Sequence, residues 1–66
     1  MTISINGEWR EVPSDQCVSS LLEWLELPAE RVAVELNQSI VRKRDWPEAR
    51  VENGAKIEIV EFVGGG

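Results

Sequence analysis

The last part of the sequence decides the fold, and it reads Lys56-Ile57-Glu58-Ile59-Val60-Glu61-Phe62-Val63-Gly64-Gly65-Gly66. Successive side chains of a strand point to opposite faces. Ile57 and Ile59 therefore face one way, whereas Val60 and Phe62 face the other. The pattern predicts a last strand over residues 56–63 that has an apolar pair on each face and runs directly into glycines.

Two Asn-Gly pairs mark tight turns in the sequence. Asn6-Gly7 is typical of a type I′ turn, because both central residues of such a turn need a positive φ, and Asn53-Gly54 predicts a second tight turn. Residues 2–6 alternate polar and apolar, with Ile3 and Ile5 on one face, and residues 8–12 form the returning strand. Pro13 ends that strand, since proline cannot donate to a ladder. The sequence therefore begins with a predicted hairpin.

One helix follows the hairpin. Val18, Leu21, Leu22 and Leu25 form an apolar stripe at helical spacing. The helix begins within residues 14–17, and two starts are possible. The side chains at 14 and 15 are good N-caps, whereas the apolar stripe also fits a start near residue 17. The Leu-Pro pair at 27–28 closes it, because the residue before a proline avoids the α region.

The remaining segments complete a recognisable order of elements. Residues 32–37 again alternate apolar and polar, which predicts a strand. Asn37-Gln38 is a predicted turn into a short strand over residues 39–41. Residues 42–50 are expected to form a loop with at most one helical turn. The order predicts an α+β fold of the β-grasp (ubiquitin-like) kind, a mixed sheet with one main helix on one face. We expect a domain over residues 1–63 and a flexible glycine tail over 64–66. The predicted inner face of the sheet contains Ile3, Ile5, Val34, Leu36, Ile57 and Ile59.

Composition narrows the function. Sixty-six residues allow a single domain, and the net charge of −5 argues against binding to nucleic acid. There is no apolar run long enough to span a membrane and only one cysteine, which favours a cytoplasmic location. The chain has no histidine or tyrosine, no set of metal ligands and no phosphate-binding glycine motif. We therefore expect a carrier, a modifier or a binding module without a bound cofactor or metal, rather than an enzyme.

A few single residues allow more than one interpretation. Cys17 could be a reactive thiol, but a lone cysteine at a helix start is more often a packing residue. Trp24 is expected to pack at the edge of the core and Trp46 to cover the bottom of the sheet, while Trp9 lies on the outer hairpin. The basic residues 42–44 are expected to be solvated.

The order of segments resembles the ThiS family, the sulfur carriers of thiamin biosynthesis, over essentially the whole chain. The matching segments are Ile3-Ser4-Ile5-Asn6-Gly7, Val18-Ser19-Ser20-Leu21-Leu22, Val32-Ala33-Val34-Glu35-Leu36-Asn37, Ile40-Val41, Trp46, Asn53-Gly54-Ala55 and residues 58–66. The resemblance implies that a ThiF-type adenylating enzyme uses ATP to activate the Gly66 carboxylate. A sulfurtransferase or cysteine desulfurase then supplies sulfur for a thiocarboxylate, which a ThiG-type thiazole synthase consumes.

The chemistry of a glycine tail agrees with that implied role. A carboxylate is ionised at pH 7 and is a poor electrophile, so it needs a leaving group before sulfur can attack. Glycines fit a narrow channel because they lack a Cβ atom. We expect Gly64, Gly65 and Val63, together with Phe62 and Val60 on the face opposite the core, to bind the partner. The alternative for Phe62 is packing on its own hairpin.

Other functions stay open at this point. A carrier like the small subunit of molybdopterin synthase would use the same tail. A ubiquitin-like modifier would be joined through Gly66 to lysines of other proteins. A non-covalent binding module would not need the tail at all.

Overall fold

A tight hairpin begins the fold in the computed structural model, which describes residues 1–62. Strand β1 (Thr2–Ile5) pairs antiparallel with β2 (Glu8–Glu11). The turn residues Asn6 and Gly7 have φ values of 52° and 84°. Both values are positive, as a type I′ turn requires, so the predicted hairpin is confirmed.

The helix is shorter than the sequence suggested. Gln16–Cys17 forms a short strand, β3, and α1 spans Val18–Trp24 with Cys17 as its N-cap. The early start at residues 14–15 is therefore wrong, because Asp15 has a φ of 60° and lies outside the helical region. The helix also ends before the Leu-Pro pair, because Glu26 adopts a left-handed φ of 59°.

Strands β4 (Val32–Leu36) and β5 (Ser39–Val41) form a hairpin, and β7 spans Lys56–Glu61. With β1 and β2 they form a five-stranded main sheet in the order β2-β1-β7-β4-β5, which has β7 at its centre. β7 runs parallel to β1 and antiparallel to β4, so the sheet is mixed, as predicted. A second, two-stranded sheet pairs β3 with β6 (Arg50–Val51).

The predicted end of the last strand is only partly described. β7 ends at Glu61, and Phe62 follows it outside the strand. Val63 and the tail over 64–66 lie outside the described residues, so the predicted domain boundary and tail stay predictions.

The helix covers one face of the main sheet, which we call the inner face. Val18, Leu21 and Leu22 of the stripe are almost completely buried, and Leu25 packs against the same cluster. Four inner-face residues are buried, namely Ile3, Ile5, Val34 and Ile57, while Leu36 and Ile59 are partly buried against them. The predicted core is thus confirmed.

Trp46 and Trp24 differ in how far they are buried. Trp46 is buried, and its indole N–H donates to the Val41 carbonyl oxygen at 2.9 Å, which confirms that it covers the sheet from its loop. Trp24 is 45% exposed, so the prediction that it packs at the core edge is wrong. At 3.6 residues per turn it lies roughly 110° around the helix from the centre of the stripe.

No helix among residues 1–62 is long and apolar enough to cross a membrane.

Candidate functional site

The face of β7 that points away from the helix carries Val60, one of the predicted partner-binding residues, and Phe62 follows the strand. Val60 is 60% exposed and Phe62 is 49% exposed, whereas Ile57 on the opposite face is 1% exposed. Both side chains are therefore exposed, which is the condition for a partner site here, and the binding role itself stays a prediction. We call this side of the main sheet the outer face.

Two asparagine side chains hold β7 in register from both sides. The Asn6 amide donates to the Ile59 carbonyl at 3.1 Å and accepts from the Ile59 N–H at 2.7 Å. On the other side, the Lys56 N–H donates to Asn37 Oδ1 at 2.9 Å. Both asparagines lie in turns and have positive φ values. Because a one-residue slip would exchange the two faces of the strand, these bonds keep Val60 on the outer face.

The end of the strand is fixed in the same way. The Phe62 N–H donates to the Arg31 carbonyl oxygen at 2.6 Å, beyond the last pair of the β4–β7 ladder, Val32 with Glu61. The chain is therefore held by the domain up to the residue before Val63.

A shallow apolar groove of about 150 Å³ lies beside Val60 on the outer face. The register places Ala33 opposite Val60, and Glu35 opposite both Glu58 and Ile40. Ile40 is 77% exposed. The residues that line the groove are Ala33, Val34, Glu35, Ile40, Glu58 and Val60.

Sequence reasoning did not assign Ile40 to this face, although a signal was present. The two-residue turn at Asn37-Gln38 sets the register of the β4–β5 hairpin. That register places Ile40 opposite Glu35, a charged residue that has to face solvent. Turn length and the position of one glutamate would therefore have predicted an exposed isoleucine.

Cys17 is half-buried at the start of α1 and belongs to neither face of the main sheet. Its Sγ lies 3.5 Å from Ser20 Oγ and 3.7 Å from Ser19 Oγ. Hydrogen bonding with the Ser20 side chain and backbone, and then with Ser19, lowers the pKa of Cys17 to about 7, against an opposing effect of burial. The thiol is more acidic than the packing interpretation implied.

The other predicted features are placed as follows. Residues 42–44 are exposed, as expected for solvated basic residues. Within residues 1–62, no group of three or more potential ligands could hold a metal ion. Gly66, Gly65 and Gly64 lie outside the described residues, so the roles assigned to them stay predictions.

A five-stranded mixed sheet with a central last strand and a single helix on one face defines the β-grasp class of small proteins. The family model for the ThiS family matches residues 3–66. The crystal structure of a thiamine biosynthesis protein (ThiS) from Geobacter metallireducens superposes with a TM-score of 0.87 at 32% identity, and the match covers 100% of both chains. The chain belongs to the ThiS family.

Two kinds of relatives are similar to the chain. The sulfur carrier protein ThiS of Escherichia coli is 30% identical over 66 residues, which are 100% of both chains. The thiazole synthase of Paramagnetospirillum magneticum is 42% identical over all 66 residues, and that of Magnetococcus marinus is 33% identical. The chain spans only 20% of the length of each of these two thiazole synthases.

Proposed function

We propose that this chain is a sulfur carrier of thiamin biosynthesis that holds sulfur as a thiocarboxylate on Gly66. The observation that carries the proposal is the match over the full length of both chains to the sulfur carrier protein ThiS of Escherichia coli. In this role the chain is a protein co-substrate, and its partners perform the catalysis.

The first step activates the Gly66 carboxylate. Its oxygen attacks the α-phosphorus of ATP on a ThiF-type adenylating enzyme, pyrophosphate leaves, and an acyl-adenylate forms. This step is needed because a carboxylate has no adequate leaving group, whereas AMP is one. The ATP belongs to the enzyme, and the carrier itself binds no cofactor.

The second step installs sulfur. The terminal sulfur of a persulfide on a sulfurtransferase or cysteine desulfurase attacks the carbonyl carbon and displaces AMP. A further thiol then cleaves the S–S bond of the acyl disulfide, so that this thiol is oxidised and the thiocarboxylate is released. A thiazole synthase consumes the sulfur in the last step, and two relatives named thiazole synthase contain a stretch similar to this whole chain.

The outer face supports the docking that these steps require. Val60 and Phe62 are exposed apolar residues immediately before the tail, and exposed apolar patches mark partner sites. Residues 63–66 reach at most about 14 Å when extended. A partner bound to the outer face can therefore receive the Gly66 carboxylate in an active site while the domain stays outside.

Intact mass spectrometry tests the proposal. The protein is incubated with ATP, a ThiF-type adenylating enzyme, cysteine desulfurase and cysteine, all shown to be active on the Escherichia coli relative. We expect the mass gain of one oxygen replaced by one sulfur, located at Gly66 by fragmentation. A matched variant that lacks Gly65 and Gly66 should show no gain.

An unchanged mass of the full chain would contradict the proposal. Adducts through Gly66 to lysines of other proteins would instead indicate a ubiquitin-like modifier. Sulfur transfer to a molybdopterin precursor but not to a thiazole synthase would indicate a carrier of the molybdopterin synthase type.

A further inference from the structure

The groove on the outer face contains two like charges that oppose each other. Glu35 on β4 and Glu58 on β7 are directly paired across the antiparallel ladder, and both are exposed. Like charges directly opposite destabilise a sheet. Neither carboxylate has a cationic group within ion-pair distance in the part of the chain that the structure describes. Among residues 1–62, this pair of carboxylates is thus left to solvent, with Lys56 two residues before Glu58 on β7 as the cationic residue of the same strand.

Apolar side chains surround this pair of charges. Ile40 and Val60 are 77% and 60% exposed, and both line the groove with Ala33. An occupant has to satisfy two carboxylates and an apolar surface together. Arginine and lysine side chains do this, because they have an apolar stem and a cationic head.

A second copy of the chain is a poor occupant. Its net charge is also −5, so self-association on this face would bring like charges together. A basic surface on another protein has the complementary charge.

We infer that this groove binds an arginine or lysine side chain on the surface of the adenylating enzyme, with the cation between Glu35 and Glu58 and the stem between Ile40 and Val60. This inference rests on the proposed function. Val60 lies six residues before Gly66, so the tail reaches at most about 22 Å from this contact. The contact therefore anchors the carrier within reach of the enzyme's active site.

The test compares two double variants that change the net charge equally. Glu35→Gln/Glu58→Gln removes the charges in the groove, and Glu23→Gln/Glu48→Gln removes two exposed charges elsewhere. The dissociation constant for the adenylating enzyme is measured by calorimetry at low and at high salt. We expect the groove variant to bind roughly tenfold more weakly, as for loss of a charge-assisted hydrogen bond. The control should change by less than about twofold, and the groove variant should lose part of the salt dependence.

The melting temperature separates binding from folding. Because the groove variant removes a repulsion, we expect it to melt no lower than the wild type. A groove variant that binds as tightly as the wild type would overturn the inference. Equal weakening of both double variants would also overturn it, since net charge alone would then explain the effect.

Three outcomes separate the inference from its alternatives and from the proposed function. If sedimentation shows a dimer that Ile40→Ser abolishes, a second copy occupies the groove and the inference is wrong. If the wild type gains no sulfur in the mass experiment, the proposed function fails and the inference fails with it. If the wild type gains sulfur but the groove variant binds normally, only the inference fails.

Discussion

The same strands form both faces of the main sheet, but the two faces differ in burial and in function. On the inner face, Ile3, Val34 and Ile57 are buried under the helix, with at most 2% of each exposed. On the outer face, Val60 and Ile40 are 60% and 77% exposed, and among residues 1–62 no helix covers them. Apolar residues on the inner face therefore stabilise the domain, whereas those on the outer face contribute little to folding and are available to a partner.

This difference shows how one short chain can combine stability with docking. A domain of 66 residues buries only about 60% of the surface of its unfolded chain. So small a domain leaves some apolar side chains exposed in any case. The position of Val60 on β7, the strand that leads to the glycines, distinguishes it from other exposed apolar residues.

The largest effect is expected from truncation on the inner face. Ile57→Ala should lower the free energy of unfolding by about 2–5 kcal/mol, because it removes buried methylene groups and leaves a cavity. Val60→Ala, three residues further along the same strand, should change it by less than about 0.5 kcal/mol. Urea denaturation of the two variants measures the difference. Equal losses of unfolding free energy in the two variants would contradict the conclusion that only the inner face stabilises the domain.

Binding to the partner should depend on the exposed residues at the end of β7 and not on exposed residues elsewhere. Phe62→Ala should weaken binding to the adenylating enzyme roughly tenfold or more, as expected for an aromatic side chain in an interface. Trp24→Ala is the matched control, because Trp24 is similarly exposed but lies on the helix, away from the outer face. Titration calorimetry checks both variants. If Phe62→Ala instead unfolds the protein, Phe62 is part of the core and not of the docking face.

The assignment of residues to faces depends on the register of β7. Substitution of the two asparagines removes hydrogen bonds that hold this register. Asn6→Gly keeps a backbone that tolerates a positive φ but removes two hydrogen bonds to Ile59. We expect it to lower the free energy of unfolding by about 1–2 kcal/mol. Asn37→Gly removes a single side-chain bond, to Lys56, and should cost about half as much. Larger losses for Asn37→Gly than for Asn6→Gly in chemical denaturation would contradict this account of the register.

Modification of Cys17 should have the smallest effect on stability and docking, because Cys17 lies outside both faces of the main sheet. Its alkylation rate should rise with pH through a midpoint near 7, because the thiolate is the nucleophile and the pKa is lowered to about 7. Ser20→Ala should move the midpoint upward. The lowered pKa also adds stability that is present above pH 9 and is lost as the pH falls through about 7. Alkylated protein should dock normally, and a loss of docking would place Cys17 in the interface.

Local patterns were enough to predict most of the fold. The alternation at Ile57 and Ile59, the stripe at Leu21 and Leu22, and the Asn-Gly turn at residue 6 each depend on neighbours in sequence. These patterns specified the strands, the helix and the face that the helix covers. The same alternation placed Val60 on the face of the strand opposite Ile57 and Ile59.

Other features depend on contacts between distant segments. The pairing of Gln16–Cys17 with Arg50–Val51 shortened the helix at its start, and no periodicity in either segment indicated it. The end of the helix depends on Glu26, a residue type that rarely adopts a positive φ. The asparagine bonds to β7 and the acidity of Cys17 likewise needed the positions of side chains.

The most direct test compares initial rates of thiocarboxylate formation by the wild type, Val60→Asp and Trp24→Asp at a carrier concentration below saturation. The account predicts that Val60→Asp reacts roughly tenfold more slowly, since burying a charge in the docking face is costly. Higher carrier concentration should recover its rate, and Trp24→Asp should react like the wild type. A Val60→Asp variant that folds normally and reacts as fast as the wild type would contradict the claim that the outer face docks the carrier.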